Sequence, residues 1–333
     1  WGNNKRSFGG NCTQSNSSGI TGTRLKNLRG EVAVEGILPI YKPAGMTSHD
    51  VVAKVRRLLQ IRRIGHTGTL DPMVTGVLPL AIGRATRIIE YIQELPKSYE
   101  AVVRFGIATD TEDLTGKVIE QTEKVQLSVT QLKATLSNFL GEIEQVPPMY
   151  SSLKKDGKRL YELARQGKIV EREPRKVTIY KLDLLEFKSN SDVVEARFTV
   201  TCSKGTYVRT LCKDIGLQVG VPAAMADLIR TSSGPFALED CVTLEEAEHL
   251  HQTEQLEERI IKTDAALNHF PFITLDPEDE KKALYGQKIF VQNEALPVNA
   301  ASIIRVYNPS KRFIGLYSYD QDQHQLIPLK LFL

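Results

Sequence analysis

The sequence predicts an α+β fold followed by a small β-rich unit, and three observations carry that expectation. A short apolar strand at Ile37 to Tyr41 runs through the Lys42-Pro43-Ala44-Gly45 turn into a helix with an apolar stripe. At Ser203-Lys204-Gly205 the apolar residues change from strand spacing to helix spacing. Beyond His269-Phe270-Pro271 the chain breaks into short strands separated by turn signals. With 333 residues, and about 150 per domain, there is length for two units, each with its own core.

Residues 1–36 are rich in Gly, Ser, Asn and basic residues and hold no acid before Glu31. They bury too little apolar surface to order themselves and are expected to form a disordered tail. The same Ser-rich, acid-poor character fits the remnant of an organellar transit peptide. The N-x-[ST] matches at Asn11 and Asn16 are chance hits in such a stretch. After the strand at Ile37, Thr47 or Ser48 caps a helix that places Val51, Val55, Leu58 and Leu59 on one face. Residues 85–93 repeat helical spacing with Ala85, Ile88, Ile89 and Ile92, and a strand from Tyr99 to Ile107 follows. Val194, Ala196, Phe198, Val200 and Cys202 alternate with polar neighbours, the pattern of a half-buried strand. Val208, Leu211, Cys212 and Ile215 then define a helix. The Glu-rich stretch 245–262 reads as a solvated connecting helix, and turns are expected at Tyr285-Gly286, Asn308-Pro309 and Gly315 within a β-rich unit at 271–333.

Apolar residues make up 41% and charged residues 25%, a balance that excludes a wholly disordered or collagen-like chain and points to a soluble globular protein. No run approaches the ~18 apolar residues of a membrane span, and the best, Val77 to Ile82, contains Pro79. The net charge of +3, from 43 Lys+Arg against 40 Asp+Glu, identifies no partner by itself. Its distribution is more informative. Lys54, Arg56, Arg57, Arg62 and Arg63 cluster without an acid, and residues 154–176 hold nine bases against four acids. Cysteines 12, 202, 212 and 241 form no CxxC pair, which fits reduced thiols in a reducing compartment. The six histidines are scattered, and His249 and His251 lack the i, i+4 spacing of helical ligands, so no metal is expected. Neither GxxxxGK[ST] nor GxGxxG occurs, so no nucleotide cofactor is expected either.

Gly65-His66-Thr67-Gly68-Thr69-Leu70-Asp71-Pro72 is the most unusual segment. Pro72 disfavours the helical region at Asp71, and the glycines permit close approach, so the carboxylate is displayed on an extended loop as a nucleophile or base. The plainer alternative is a turn Asp bonding its own backbone. Tyr207 and Arg209 flank Val208 on opposite edges of a buried stripe, where both could border one cleft, the Arg pairing with a carboxylate or phosphate. The alternative is a surface Arg and a half-buried Tyr. Tyr99 and His66 are candidates for stacking on a base, or are an edge aromatic and a surface residue. Pro147 to Lys155, with Gly157-Lys158-Arg159 beyond, joins a rigid turn to a basic patch suited to phosphate contacts.

These segments together resemble the TruB-type tRNA pseudouridine synthases, which isomerise a uridine in the T-arm loop of tRNA. The resemblance rests on six ordered blocks: Lys42 to Ser48, Gly65 to Pro72, Lys97-Ser98-Tyr99, Pro147 to Leu163, Cys202 to Thr210, and Arg230 to Phe236. Gly286-Gln287, Phe313 to Leu316 and Leu329-Lys330 are similar to a small PUA-type RNA-binding barrel. The family implies a mixed, mainly antiparallel sheet in a catalytic unit at 37–270, with a PUA-like unit at 271–333. It implies Asp71 as nucleophile, Arg209 as its ion-pair partner, Tyr207 as acceptor of the C5 proton, and Tyr99 stacked on the flipped base. It further implies that His66 fills the space the nucleotide leaves, that Lys42 supports the floor of the site, and that Leu228 lines the uracil pocket. The implied partner is tRNA alone, for a cytoplasmic monomer with no membrane or protein partner and no cofactor. The chain departs from the common pattern at Ser152, Ile229 and Ala224, positions that bear on peripheral RNA contacts. Two other readings use the same scaffold: a guide-RNA-dependent box H/ACA synthase and a non-catalytic RNA-binding protein.

Overall fold

The computed structural model describes residues 25–26, 32–155, 157–190, 193–291 and 303–333. The expected tail at 1–36, with its transit-peptide reading, falls mainly outside them, as does Asp156; within the tail, Leu25–Lys26 pairs antiparallel with Val32–Ala33.

Gly36–Lys42 (β1) passes through the predicted turn to Thr47, which caps Ser48–Leu59 (α1). The cap is reciprocal: Thr47 Oγ1 accepts from the Asp50 amide at 3.1 Å, and the Asp50 carboxylate accepts from the Thr47 amide at 2.9 Å. Val51, Val55 and Leu59 are buried as predicted, Leu58 lies at the margin, and Val52 joins the core. Ile64–His66 (β2) is a strand paired with Thr75–Ile82 (β3), so the glycine-rich segment is loop only from Thr67 onward. The helical pattern at 85–93 is a tight 3₁₀ turn, Gly83–Ile88, running into Ile89–Glu94 (α2). The strand expected from Tyr99 to Ile107 is Lys97–Phe105 (β4), which stops because Gly106 takes φ +94 before Ile107–Thr109 (β5) turns to pair with Val118–Gln121 (β6).

The elements Val129–Ser137 (α3), Gly141–Gln145 (β7), Leu160–Arg165 (α4), Arg175–Ser189 (β8), Val194–Cys202 (β9), Val208–Val219 (α5), Ala223–Ser233 (β10) and Phe236–Ala237 (β11) complete the larger unit. Among the described residues its sheet has nine strands in the order β1-β3-β10-β4-β9-β8-β7, with β2 on β3 and β11 on β10. All pairings are antiparallel except β3 with β10, which run parallel at Thr75 with Ile229 and Gly76 with Arg230. Tyr99 therefore sits on an interior strand, between Val200 and Arg230, and not on an edge. The inward residues of β9 pack on Leu211, Cys212 and Ile215 of α5, as the change of spacing predicts.

Leu244–Gln252 (α6) ends where Glu254 turns left-handed at φ +59, and a short 3₁₀ turn, Leu256–Arg259, follows. The expected single solvated helix is broken because Leu256 and Ile260 must reach the core shared with α1. The C-terminal unit, Phe272–Thr274 (β12), Pro277–Leu284 (α7), Ile289–Phe290 (β13), Ile303–Tyr307 (β14), Phe313–Asp320 (β15) and Gln325–Leu331 (β16), forms a five-stranded half-barrel in the order β12-β14-β15-β16-β13. Helix α7, capped by Asp276 with Pro277 in its first turn, is an addition to the β-rich expectation. Gly315 is no turn: it lies inside β15, where a Cβ would stand 2.2 Å from the Lys330 carbonyl. Leu316 and Phe332 pack with Ile37, Val77 and Ile88, while Arg87 donates to the Leu331 carbonyl, so the half-barrel is fastened to the main sheet.

Gly76 sits at the parallel seam with φ +106, and a Cβ there would lie 2.2 Å from the Arg230 carbonyl. Gly76→Ala is expected to destabilise the protein by more than about 2 kcal/mol, combining a strained dihedral with a backbone clash, as read from urea melts.

Candidate active site

Asp71 is displayed on a loop that is pinned on both sides. Before it, Ser48 Oγ exchanges hydrogen bonds with Leu70, accepting from its amide at 2.9 Å and donating to its carbonyl. After it, the Pro72 carbonyl accepts from the Gly45 amide at 2.9 Å and from Lys42 Nζ at 2.9 Å. Further back, Arg230 Nη2 donates to the Gly68 carbonyl and its Nε to the Val77 carbonyl at 2.7 Å. The start of α1, the end of β1 and the parallel seam thus converge on one eight-residue loop, 67–74, and the acid has little freedom to move.

Arg209, in the first turn of α5, places Nη2 2.9 Å from Asp71 Oδ2. The Asp71 side chain is 43% exposed, whereas the Arg209 side chain is 5% exposed. The guanidinium is held by Nη1 donating to the Thr111 carbonyl at 2.9 Å and Nη2 donating to the Tyr150 carbonyl at 2.8 Å, with Asp113 Oδ2 4.0 Å from Nε. The alternative of a surface Arg is therefore excluded. Burial pushes the Asp71 carboxyl above its ordinary range; Arg209 and Lys42 oppose that rise, and Asp113 adds to it. Lys42 is wholly enclosed, and burial lowers its pKa to about 8 against the pull of Asp71.

Tyr207 stands at the N-cap position of α5 and not inside its first turn. No side chain caps that helix end; instead Gln145, buried at the end of β7, grips Tyr207, accepting from its amide at 3.0 Å and donating to its carbonyl at 3.2 Å. Burial raises the Tyr207 pKa, with Arg209 and Asp71 both close enough to act on it. Tyr99 is half-buried beside Arg230, which hydrogen-bonds its hydroxyl, and desolvation raises its pKa. Leu228, on β10, packs in the cluster that holds Leu70 and Val74 on either side of Asp71. His66 lies on β2, where burial, then Arg230 and His49, lower its pKa. The seven residues named from sequence thus fall around one loop, with Asp71 and Arg209 in direct contact and His66 reached through Arg230.

Sequence reasoning missed Arg230, Asp113 and Gln145. Among the described residues Arg230 is the largest fully buried side chain, and its inward position on β10 was the available signal. Asp113 lies in an acid and hydroxyl run, Thr109 to Asp113, that reads as an ordinary turn. The basic segment presents Lys154, Lys155, Lys158 and Arg159 to solvent, with Arg159 and Arg165 over the Tyr161 ring. Among the described residues, no helix is long and apolar enough to cross a membrane.

Residues 56–208 match the family model described as TruB family pseudouridylate synthase (N terminal domain), and residues 209–268 match the tRNA pseudouridylate synthase B C-terminal domain. The chain is 45% identical over 307 residues to the tRNA pseudouridine synthase B of Geobacillus thermodenitrificans, covering 90% of this chain and 100% of that protein. It is 44% identical over 287 residues to the tRNA pseudouridine synthase B of Bacillus subtilis, covering 85% and 93%. Among solved structures, an H/ACA RNP bound to a substrate RNA containing 2′-deoxyuridine matches with a TM-score of 0.70 at 23% identity, covering 90% of this chain and 86% of that one. A Cbf5-Nop10-Gar1 complex matches at 0.70 and 24%, covering 90% and 85%. At those identities the structural likeness is one of fold.

The balance of forces on Asp71 is measurable. Its carboxyl is expected to titrate above the ordinary 3.8, and in Arg209→Ala, which removes the main lowering charge, higher still, as followed by carbon NMR of labelled aspartate.

Proposed function

Because the chain belongs to the TruB family of pseudouridylate synthases, we propose that it isomerises a uridine in the T-arm loop of tRNA to pseudouridine. The observation that carries this reading is an Asp71 carboxylate that touches the Arg209 guanidinium at 2.9 Å and still leaves 43% of its side chain open to a nucleotide. Tyr207, Tyr99 and Lys42 are near enough to feel the Asp71 charge, and Leu228 packs behind the loop with Leu70 and Val74. On this reading the acting unit is 37–270 and a PUA-like RNA-binding unit is 271–333, working as a cytoplasmic monomer without a protein partner.

The reaction breaks the bond from N1 to C1′, turns the uracil, and joins C5 to C1′; C5 loses a proton and N1 gains one. The base must leave its stack to be reached, at a cost of a few kcal/mol, which stacking on Tyr99 at about 1–3 kcal/mol offsets. Asp71 attacks as the carboxylate, at C6 of the ring or at C1′ of the sugar, and Arg209 holds it charged and aimed. Tyr207 accepts the proton leaving C5. Burial raises the pKa of that phenol, so its anion is scarce at neutral pH and a strong base once formed. Lys42 holds the floor through Pro72, Leu228 lines the uracil pocket, and His66 braces the space the nucleotide vacates.

An unguided tRNA substrate is favoured over a guide RNA by the 45% identity to a protein named tRNA pseudouridine synthase B, against 23% and 24% to the chains of the H/ACA structures. The basic clusters at 54–63 and 154–176 supply the phosphate contacts.

Incubating the chain alone with an unmodified tRNA transcript, and mapping pseudouridine by chemical sequencing, is expected to give product at the T-arm uridine. Asp71→Asn should abolish conversion while tRNA binding persists; a wild-type chain that binds tRNA yet never converts it overturns the reading. Tyr99→Leu should lower kcat/KM by the equivalent of about 1–3 kcal/mol, the worth of one base stack.

A further inference from the structure

The proposed chemistry leaves one buried acid unused. Glu112 lies in the loop between β5 and β6, and its side chain is only 9% exposed. Its Oε2 accepts from Thr210 Oγ1 at 2.6 Å, and its Oε1 stands 2.7 Å from Lys213 Nζ. Thr210 is the residue after Arg209, and Lys213 lies one turn further along α5, so a single carboxylate grips the helix that carries the catalytic guanidinium.

The backbone of Glu112 is equally constrained. It takes φ +64, a left-handed conformation unfavourable for a residue with a side chain, which persists only where its surroundings over-determine it. Its amide donates to the Thr109 carbonyl at 3.2 Å, and its carbonyl accepts from the Met225 amide on β10 at 3.0 Å. The strained turn aims its two neighbours at Arg209: the Thr111 carbonyl accepts from Nη1, and the Asp113 carboxylate faces Nε. Glu112 therefore stands between the two residues of its loop that meet the guanidinium, while its own side chain points to the next residue of the helix.

We infer that Glu112 is a positioning residue: by fastening the 109–116 loop to α5 it fixes Thr111 and Asp113 against Arg209, and through Arg209 it sets the aim and charge state of Asp71. It touches no substrate. The inference rests on the pseudouridylation proposed above. Without Glu112 the loop loses its side-chain links to Thr210 and Lys213 of α5, and Thr111 and Asp113 are no longer held fixed against the guanidinium. The charged and titratable groups around Glu112 are Lys213, Asp214 and Cys212 on α5; those around Asp71 are Arg209, Asp113 and Lys42.

The test compares wild type with Glu112→Gln, which keeps an acceptor for Thr210 but removes the charge facing Lys213, and with Glu112→Ala, which removes both anchors. Single-turnover rate against pH, tRNA affinity and melting temperature are measured on the full chain with a tRNA transcript. Glu112→Gln should lower the rate about tenfold, the equivalent of one charge-assisted hydrogen bond, with affinity unchanged, and Glu112→Ala should lower it further. In both, the acid limb of the rate should move to higher pH, because a loosened Arg209 holds Asp71 ionised less well. Wild-type rates and an unmoved limb, or a fall in melting temperature alone, would overturn the inference. An inactive wild-type chain would instead sink the pseudouridylation reading. The Asp71 carboxyl titration by NMR then decides the matter for Glu112, an upward move in Glu112→Gln supporting it and an unchanged value overturning it.

Discussion

A carboxylate in a protein cleft is useful as a nucleophile only while it is charged, and the cleft that excludes water works against that charge. Asp71 is caught in this opposition: burial raises its pKa, and Arg209 is the largest influence pulling it back. The guanidinium can do this because it is itself immobile. Two backbone carbonyls, from Thr111 and Tyr150, take donors that would otherwise be lost to burial, leaving one edge for Asp71. A lysine in that place would fare worse. Lys42, enclosed beneath the same loop, has its pKa lowered to about 8, whereas an arginine keeps its charge through such burial.

The second constraint is the seam where β3 and β10 run parallel. Gly76 lets the Arg230 backbone come close, and the Arg230 side chain then reaches back to the carbonyls of Val77 and Gly68 while its other contact steadies the Tyr99 hydroxyl. One buried cation thus links the loop that carries the acid to the ring proposed to hold the flipped base. Its role is architectural, and it explains why Tyr99 lies on an interior strand, where its orientation is set from both sides.

Much of the scaffold was legible from periodicity. The stripes of α1 and α5, the alternation of β9 and the Thr47 cap depend on residues a few positions apart, which is the range over which spacing carries information. The breaks at Gly106 and Glu254 were not, because each is imposed by what the following residues must bury or pair with. The same boundary runs through the site. Asp71 stood out by its glycines and Pro72, yet its pairing with Arg209 came only through family resemblance, since nothing local ties the two. Arg230, Asp113 and Gln145 escaped altogether: their contacts cross 153, 96 and 62 residues of chain, the middle figure being 209 minus 113.

Those separations bear on how the molecule is born. Asp71, Thr111, Tyr150, Arg209 and Arg230 emerge from a ribosome in that order, and the contacts they make close loops of up to 162 residues, the longest from Arg230 back to Gly68. A nascent chain that has not yet delivered Arg230 lacks the clasp on Gly68 and Val77, so the acid-bearing turn is held only by its contacts to Lys42, Gly45 and Ser48. The acid-bearing turn and the guanidinium that faces it are therefore fully seated only late in synthesis.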